Sequence, residues 1–217
     1  MNDLIHFGDY KTDKGPDGHS YQRAYDLYFG DRRLRCENIV EIGTRKGSIK
    51  LWLDYFPQTT LYGWDLKDPK FSDARFKFMK VNQSSDDEMR NALETIGRPL
   101  DVIIDDGPHT PKEQTRCFEL AFPRLAHGGI YVMEDLHSTD PENELPDQYR
   151  RNMNGADFSF RQILSRLESG MLEPTMYLRN PKSLSEEIQS IHVECGDTIR
   201  WKKFQKTPSD IAFVIRK

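Results

Sequence analysis

The feature that most constrains the fold is a series of short apolar runs, each stopped at its carboxyl end by an acid, an amide or a glycine. Residues 38–42, 60–64, 76–81, 100–104 and 130–133 form the runs. Helical patterns fill the intervals. Residues 48–56 place Leu51, Trp52 and Tyr55 on one face with Pro57 just beyond; residues 88–96 end at Gly97; residues 112–125 end at His127-Gly128-Gly129. Strands alternating with helices at this spacing predict βαβ units and a parallel sheet covered on both faces. Further helices are expected at 21–29, from Tyr21, Ala24, Tyr25 and Tyr28, and at 160–168. Residues 190–195 and 211–216 complete the sheet. Their short connection predicts an antiparallel pair at one edge. The fold class is therefore α/β: a doubly wound, mostly parallel, seven-stranded sheet with an antiparallel C-terminal pair.

A chain of 217 residues is enough for one domain with a sizeable core. A single domain over 1–217 is expected, with 1–30 as a cap segment and the polar stretch 137–160 as a lid. The apolar fraction of 36% leaves a highly charged surface, while 11% aromatic residues argue against disorder. A net charge of −4 gives no electrostatic reason to expect nucleic acid. No apolar run approaches the roughly 20 residues of a membrane helix, and Met1 is followed by polar, acidic residues, unlike a secretory signal. Cys36, Cys117 and Cys195 are odd in number and lack a CxxC spacing, which suits free thiols in a reducing, cytoplasmic setting. Lys11 to Lys14 and Asp31 to Arg35 are mixed-charge segments and read as solvated faces.

In open parallel sheets, ligands bind beyond the strands' carboxyl ends where strand order reverses. Glu41, Asp65, Asn82-Gln83, Asp105-Asp106 and Glu134-Asp135 all fall at or just past such ends. One rim thus gathers acids from separate strands, which predicts a cationic ligand, a metal, or both. The loop from Glu41 through Gly43 to Gly47-Ser48 lets a ligand approach backbone closely, although it is neither GxGxxG nor a phosphate loop. Asp65, on the next βα turn, is placed to accept ribose hydroxyls. The stretch Asp105-Asp106-Gly107-Pro108-His109 puts an imidazole beside a carboxylate in a stiff turn. Histidine, with an ordinary pKa of about 6.5, suits a general base. Asp106, Glu134 and Asp135 come from neighbouring strands. Three unpaired carboxylates would repel, and a divalent cation removes that conflict. All-oxygen ligands favour Mg²⁺, Mn²⁺ or Ca²⁺.

Thr12-Asp13-Lys14-Gly15, Gly18-His19-Ser20-Tyr21, Glu41-Ile42-Gly43, residues 52–57, Ile104 to His109 and Gly128 to Asp135 together resemble the metal-dependent, class I S-adenosylmethionine methyltransferases of macrolide-sugar biosynthesis. Cephalosporin-hydroxylase-like proteins share part of this pattern. The resemblance spans about residues 8–137. It implies a Rossmann-like methyltransferase fold, Mg²⁺ (or Mn²⁺) on Asp106, Glu134 and Asp135, and His109 as the catalytic base. It also implies S-adenosyl-L-methionine held by Glu41, Gly43, Asp65, Gln83, Asp105 and Asp106, with the stretch from Thr12 through His19 to Tyr21 over the cofactor. The expected partner is a small sugar-like acceptor, with no nucleic acid or membrane, and the expected assembly is a homo-oligomer. The 217 residues leave no room for the additional N-terminal domain of the macrolide enzymes. Two other readings stand beside this one: a catechol-type methyltransferase acting on a small phenol, and an S-adenosylmethionine-binding protein without catalysis.

Overall fold

In a computed structural model, residues 6–140, 146–198 and 208–217 are described. Residues 1–5 of the expected cap and 141–145 of the expected lid lie outside them. The strands are β1 (Asn38–Ile42), β2 (Thr60–Asp65), β3 (Phe76–Lys80), β4 (Leu100–Asp105), β5 (Leu125–Met133), β6 (Ile188–Thr198) and β7 (Pro208–Arg216). The helices are α1 (Gln22–Phe29), α2 (Lys46–Tyr55), α3 (Asp86–Ile96), α4 (Pro111–Ala121), α5 (Pro146–Met153), α6 (Phe160–Glu168) and α7 (Pro181–Glu187). One sheet has the order β3-β2-β1-β4-β5-β7-β6. The first five strands pair in parallel; β7 runs antiparallel to both β5 and β6. The chain winds outward from β1 to β3, then crosses back to β4 on β1's other side, so the crevice opens at the tips of β1 and β4.

Local chemistry sets the element ends. Ser85 caps α3 by accepting the Glu88 amide at 3.3 Å, Asp86, Asp87 and Glu88 fill its positive first turn, and Gly97 closes it in the left-handed conformation. Ser159 and Gln162 form a reciprocal capping box on α6. Pro111 opens α4, where its missing N–H costs nothing.

Alternation along the strands builds two cores. On one face Val40, Ile42, Ile103, Tyr131 and Met133 pack under α3, α4 and α6. On the other, Ile39, Val102, Ile104, Val132 and Phe213 meet an aromatic cluster of Phe7, Tyr21, Tyr25, Phe29 and Trp52. These five aromatics are fully buried, each worth about 1.5–3 kcal/mol in area removed from water. Phe7, Tyr21, Tyr25 and Phe29 therefore tie the N-terminal segment into the core of the fold.

Two expectations are corrected. The helix expected over 112–125 stops at Ala121, because Pro123 forces a 3-10 turn over Phe122–Arg124. Strand β5 then begins at Leu125 and runs through His127-Gly128-Gly129, expected as a turn. The polar stretch 137–160 holds the 3-10 turn Leu136–Thr139 and α5. Among the described residues no helix is long and apolar enough to cross a membrane.

Candidate active site

The turn after β1 is held at close quarters. Gly43 adopts φ +81°, donates its amide to the Trp64 carbonyl at 2.9 Å, and lies so near β4 that a Cβ there would sit 1.9 Å from the Asp106 carbonyl oxygen. Only glycine fits. Beside it opens a cavity of about 250 Å³ lined by Gly43, Trp64, Asp65, Gln83, Asp106 and Gly107, among others. Asp65 gives one carboxylate oxygen to the Lys67 amide at 2.9 Å. Gln83 Oε1 and Trp64 Nε1 are buried without a hydrogen-bond partner, the condition expected of a polar pocket whose ligand supplies the missing partners.

Two residues expected at this cavity are held elsewhere. Glu41 is fully buried: Thr44 Oγ1 and Ser48 Oγ donate to its Oε2 at 2.8 and 3.0 Å, and Trp52 Nε1 donates to its Oε1 at 2.8 Å. Burial pushes its carboxyl up to about 7, against the pull of Lys14 and these donors. Asp105 is likewise buried, accepting from Gln83 Nε2 at 2.8–2.9 Å and from the Tyr131 hydroxyl at 2.7 Å. Their carboxylates are spent inside the protein. Glu41 ties the β1 turn to α2, and Asp105 aims Gln83.

A second cleft, of about 420 Å³, shares Arg45, Asp106 and Gly107 with the first, and Lys11, Thr12, His109 and Asp135 help line it. His109 Nε2 lies 3.5 Å from Asp106 Oδ1 and 3.6 Å from Asp135 Oδ2. The residue sits at φ +54°, rare for a non-glycine, and its carbonyl accepts from Ser138 Oγ at 3.1 Å. Asp135 also has positive φ. Two strained backbones facing one another across a cleft are the kind of outlier that marks a functional site. Burial would raise the Asp135 carboxyl, but the imidazoles of His19, His109 and His137 outweigh it and hold it below the usual range.

Lys14 was expected on a solvated face; it is fully buried. Its Nζ lies 2.5 Å from Asp106 Oδ2 and 2.7 Å from Glu134 Oε2. Burial would lower the ammonium's pKa, yet the two carboxylates outweigh that and hold it above its usual range. Tyr25 donates its hydroxyl to Glu134 Oε1. Both oxygens of Glu134 are thus occupied, and it would reach an ion only with Lys14 displaced. Lys14 lies between Asp106 and Glu134 and offsets their mutual repulsion. Among the described residues, Asp106, His109 and Asp135 form one edge that could hold a cation, their ligand atoms lying within 4.8 Å of one another. His19 and Tyr21 also sit against Asp135: the Tyr21 hydroxyl donates to its Oδ1 at 2.8 Å, and His19 Nδ1 lies 3.4 Å from the same oxygen. The sequence signal for Lys14 was its place in Thr12-Asp13-Lys14-Gly15, a motif that carries the family resemblance although Lys14 itself was read as part of a solvated, mixed-charge segment.

Residues 40–136 match a protein family described as "Methyltransferase domain". The chain is 35% identical over 130 residues to an 8-demethyl-8-alpha-L-rhamnosyl tetracenomycin-C 2'-O-methyltransferase of Streptomyces olivaceus, covering 56% of this chain and 34% of that protein. It is 34% identical over 139 residues to an L-olivosyl-oleandolide 3-O-methyltransferase of Streptomyces antibioticus, covering 60% and 36%. The chain thus spans about a third of the length of the curated relatives it matches. Among solved structures, a mycinamycin-pathway methyltransferase crystallised with Mg and SAH superposes with a TM-score of 0.70 at 22% identity, covering 96% of this chain and 52% of that one. At that identity the likeness speaks for the fold. Residues 40–136 are thus similar to a methyltransferase domain, and the chain resembles the mycinamicin-type sugar O-methyltransferases in sequence and architecture.

Proposed function

We propose that this chain transfers the methyl group of S-adenosylmethionine to a hydroxyl of a sugar or a glycosylated small molecule. The observation that carries the reading is the meeting of two cavities at Asp106, with His109 across the second. The first suits the adenosyl cofactor: Asp65 for the ribose, Gly43 for close backbone approach, and Gln83 with an unsatisfied acceptor. The second suits a hydroxylated acceptor. The relatives named as sugar O-methyltransferases support the acceptor class, and the solved neighbour bound to Mg and SAH supports the cofactor pair.

In this reading Asp106 and Asp135 would hold a divalent cation, Mg²⁺ or Mn²⁺, which would lower the acceptor hydroxyl's pKa. The chain's own residues do the rest. His109 takes the hydroxyl proton at Nε2, with the Asp106 and Asp135 carboxylates on either side of that nitrogen. The Ser138 hydrogen bond fixes the loop that carries the ring. Lys14 and Tyr25 hold Glu134, and Lys14 pins the second oxygen of Asp106, leaving Oδ1 to face the imidazole. Alignment of oxygen, methyl carbon and sulfur contributes much of the acceleration, since displacement needs them collinear.

The test is to incubate the protein with S-adenosylmethionine, Mg²⁺ and parallel panels of glycosylated acceptors and catechols, reading S-adenosylhomocysteine. Turnover with glycosylated acceptors is expected. Turnover with catechols alone would transfer the reading to a phenol substrate, and none with either would leave a binding protein.

A further inference from the structure

Asp135 turns Oδ2 to His109 and Oδ1 to a separate group, to which the proton transfer at His109 assigns no role. His19 from the N-terminal segment, His137 from the 3-10 turn Leu136–Thr139, and Asp135 each present one ligand atom, all within 4.8 Å of one another. His19 Nδ1 stands 3.4 Å from Asp135 Oδ1, longer than an ordinary N–H···O bond. It matches the separation of about 3.4 Å between donors arranged tetrahedrally at bonds of about 2.1 Å. The rings of His19 and His137 are 5.7 Å apart between centroids and tilted by 40°. His137 Nδ1 is buried without a hydrogen-bond partner.

The donors are also held in place. Tyr21 stacks on the His19 ring at 5.2 Å and 12°, and donates its hydroxyl to Asp135 Oδ1 at 2.8 Å. One fully buried tyrosine thus sets both the ring and the carboxylate. Asp135, in the left-handed conformation at φ 55° and ψ 43°, turns the chain so that His137 comes back towards its carboxylate.

We propose that His19, Asp135 and His137 form a second cation site that takes a transition-metal ion of the Zn²⁺, Co²⁺ or Mn²⁺ type, with water completing the coordination. Two imidazoles and one carboxylate are a donor set that suits these ions, whereas Mg²⁺ prefers oxygen alone. The site is distinct from the Asp106–His109 edge, because Asp135 offers Oδ1 here and Oδ2 there. An ion so placed would tie residue 19 of the N-terminal segment to the end of β5. The site needs neither S-adenosylmethionine nor an acceptor, so it stands whether or not the chain transfers methyl groups.

The experiment uses the full chain, stripped with chelator and titrated with Co²⁺ in excess Mg²⁺, reading visible absorption and calorimetric affinity. Binding is expected to survive in Asp106→Asn and His109→Asn. In His19→Gln and His137→Asn it should weaken about tenfold or more, at least as much as loss of a partner to a metal ligand costs. Unaltered affinity in both of these variants would overturn the site. So would loss in Asp106→Asn with retention in His137→Asn, which would place the ion at the other edge. Should either histidine variant fail to fold, paramagnetic shifts in the unmodified protein decide. Shifted imidazole protons of His19 and His137 are expected, and shifts confined to His109 would overturn the proposal.

Discussion

Lys14 carries more of the site's electrostatics than its place in a polar loop suggests. A buried ammonium between two buried carboxylates is costly to assemble and costlier to break, since removing one partner leaves uncompensated charge. Lys14→Met is therefore expected to lower the unfolding free energy by about 3 kcal/mol or more, read by urea denaturation. Added Mg²⁺ should recover part of the loss by taking the vacated position between Asp106 and Glu134. A variant as stable as its parent would remove Lys14 from this role. Glu41 predicts a different behaviour. Burial raises its carboxyl from the ordinary 4.5 to about 7, so the folded chain holds that proton more tightly than the unfolded one. Its contribution is full below pH 4.5 and is lost as pH rises through about 7, at no more than about 1.4 kcal/mol per pH unit. Glu41→Gln stays neutral throughout, so urea unfolding from pH 4.5 to 8 should show the parent losing stability against the variant. Parallel curves would contradict it. The rim positions of Asp65, Asp106, His109 and Asp135 were legible in the sequence because polar residues at the tips of apolar runs have few places to go but the rim. Lys14 was not. It reaches across 92 and 120 positions to its partners, and a charge paired at such range leaves no local periodicity.

At the scale of elements, the turn between β1 and α2 is the part least able to change. Gly43→Ala meets two penalties: a positive φ that alanine resists, and a Cβ 1.9 Å from the Asp106 carbonyl. The expected cost exceeds about 1 kcal/mol. Relief can come only by pushing the β4 tip away, so S-adenosylhomocysteine binding should weaken together with the melting temperature. Weakened stability with unaltered binding would show that the turn does not border the cofactor. The elements themselves were mostly readable, because strands β1 to β4 and helices α2, α3 and α6 combine strong periodicity with clear stops such as Pro57 and Gly97. The misreadings have local causes. Around α4 the apolar pattern runs on through Phe122 and Leu125, which masked the break at Pro123. Strand β5 carries His127-Gly128-Gly129 near its start, with Gly128 at φ +72° and a register shift against β4, so its first half looks like a turn. Helix α7 spans only seven residues and buries only Pro181 and Leu184 among them, too little to register as a period.

At the scale of the whole molecule, the two cavities of the candidate site meet at a shared wall of Arg45, Asp106 and Gly107. Asp106 lines both, its amide is tied to β1 through the Ile42 carbonyl at 3.1 Å, and its side chain is fixed by Lys14 from the N-terminal segment. The segment is in turn anchored by Phe7, Tyr21 and Tyr25 in the aromatic core. If the proposed assignment holds, a cofactor in the first cavity would order the same backbone that shapes the second. A ligand that binds only the folded state at about 100 times its dissociation constant stabilises by about 2.7 kcal/mol. For a chain of this size that corresponds to a melting-temperature rise of about 5–10 °C. Thermal unfolding with S-adenosylhomocysteine should show such a rise. Mg²⁺ added together with it should give more than the sum of the separate shifts, because each ligand settles Asp106 for the other. Asp106→Asn should retain a reduced response to S-adenosylhomocysteine and lose the extra increment. Strictly additive shifts in the parent would mean that the two cavities share a wall without sharing a conformation, and the cation would then have to be sought away from Asp106.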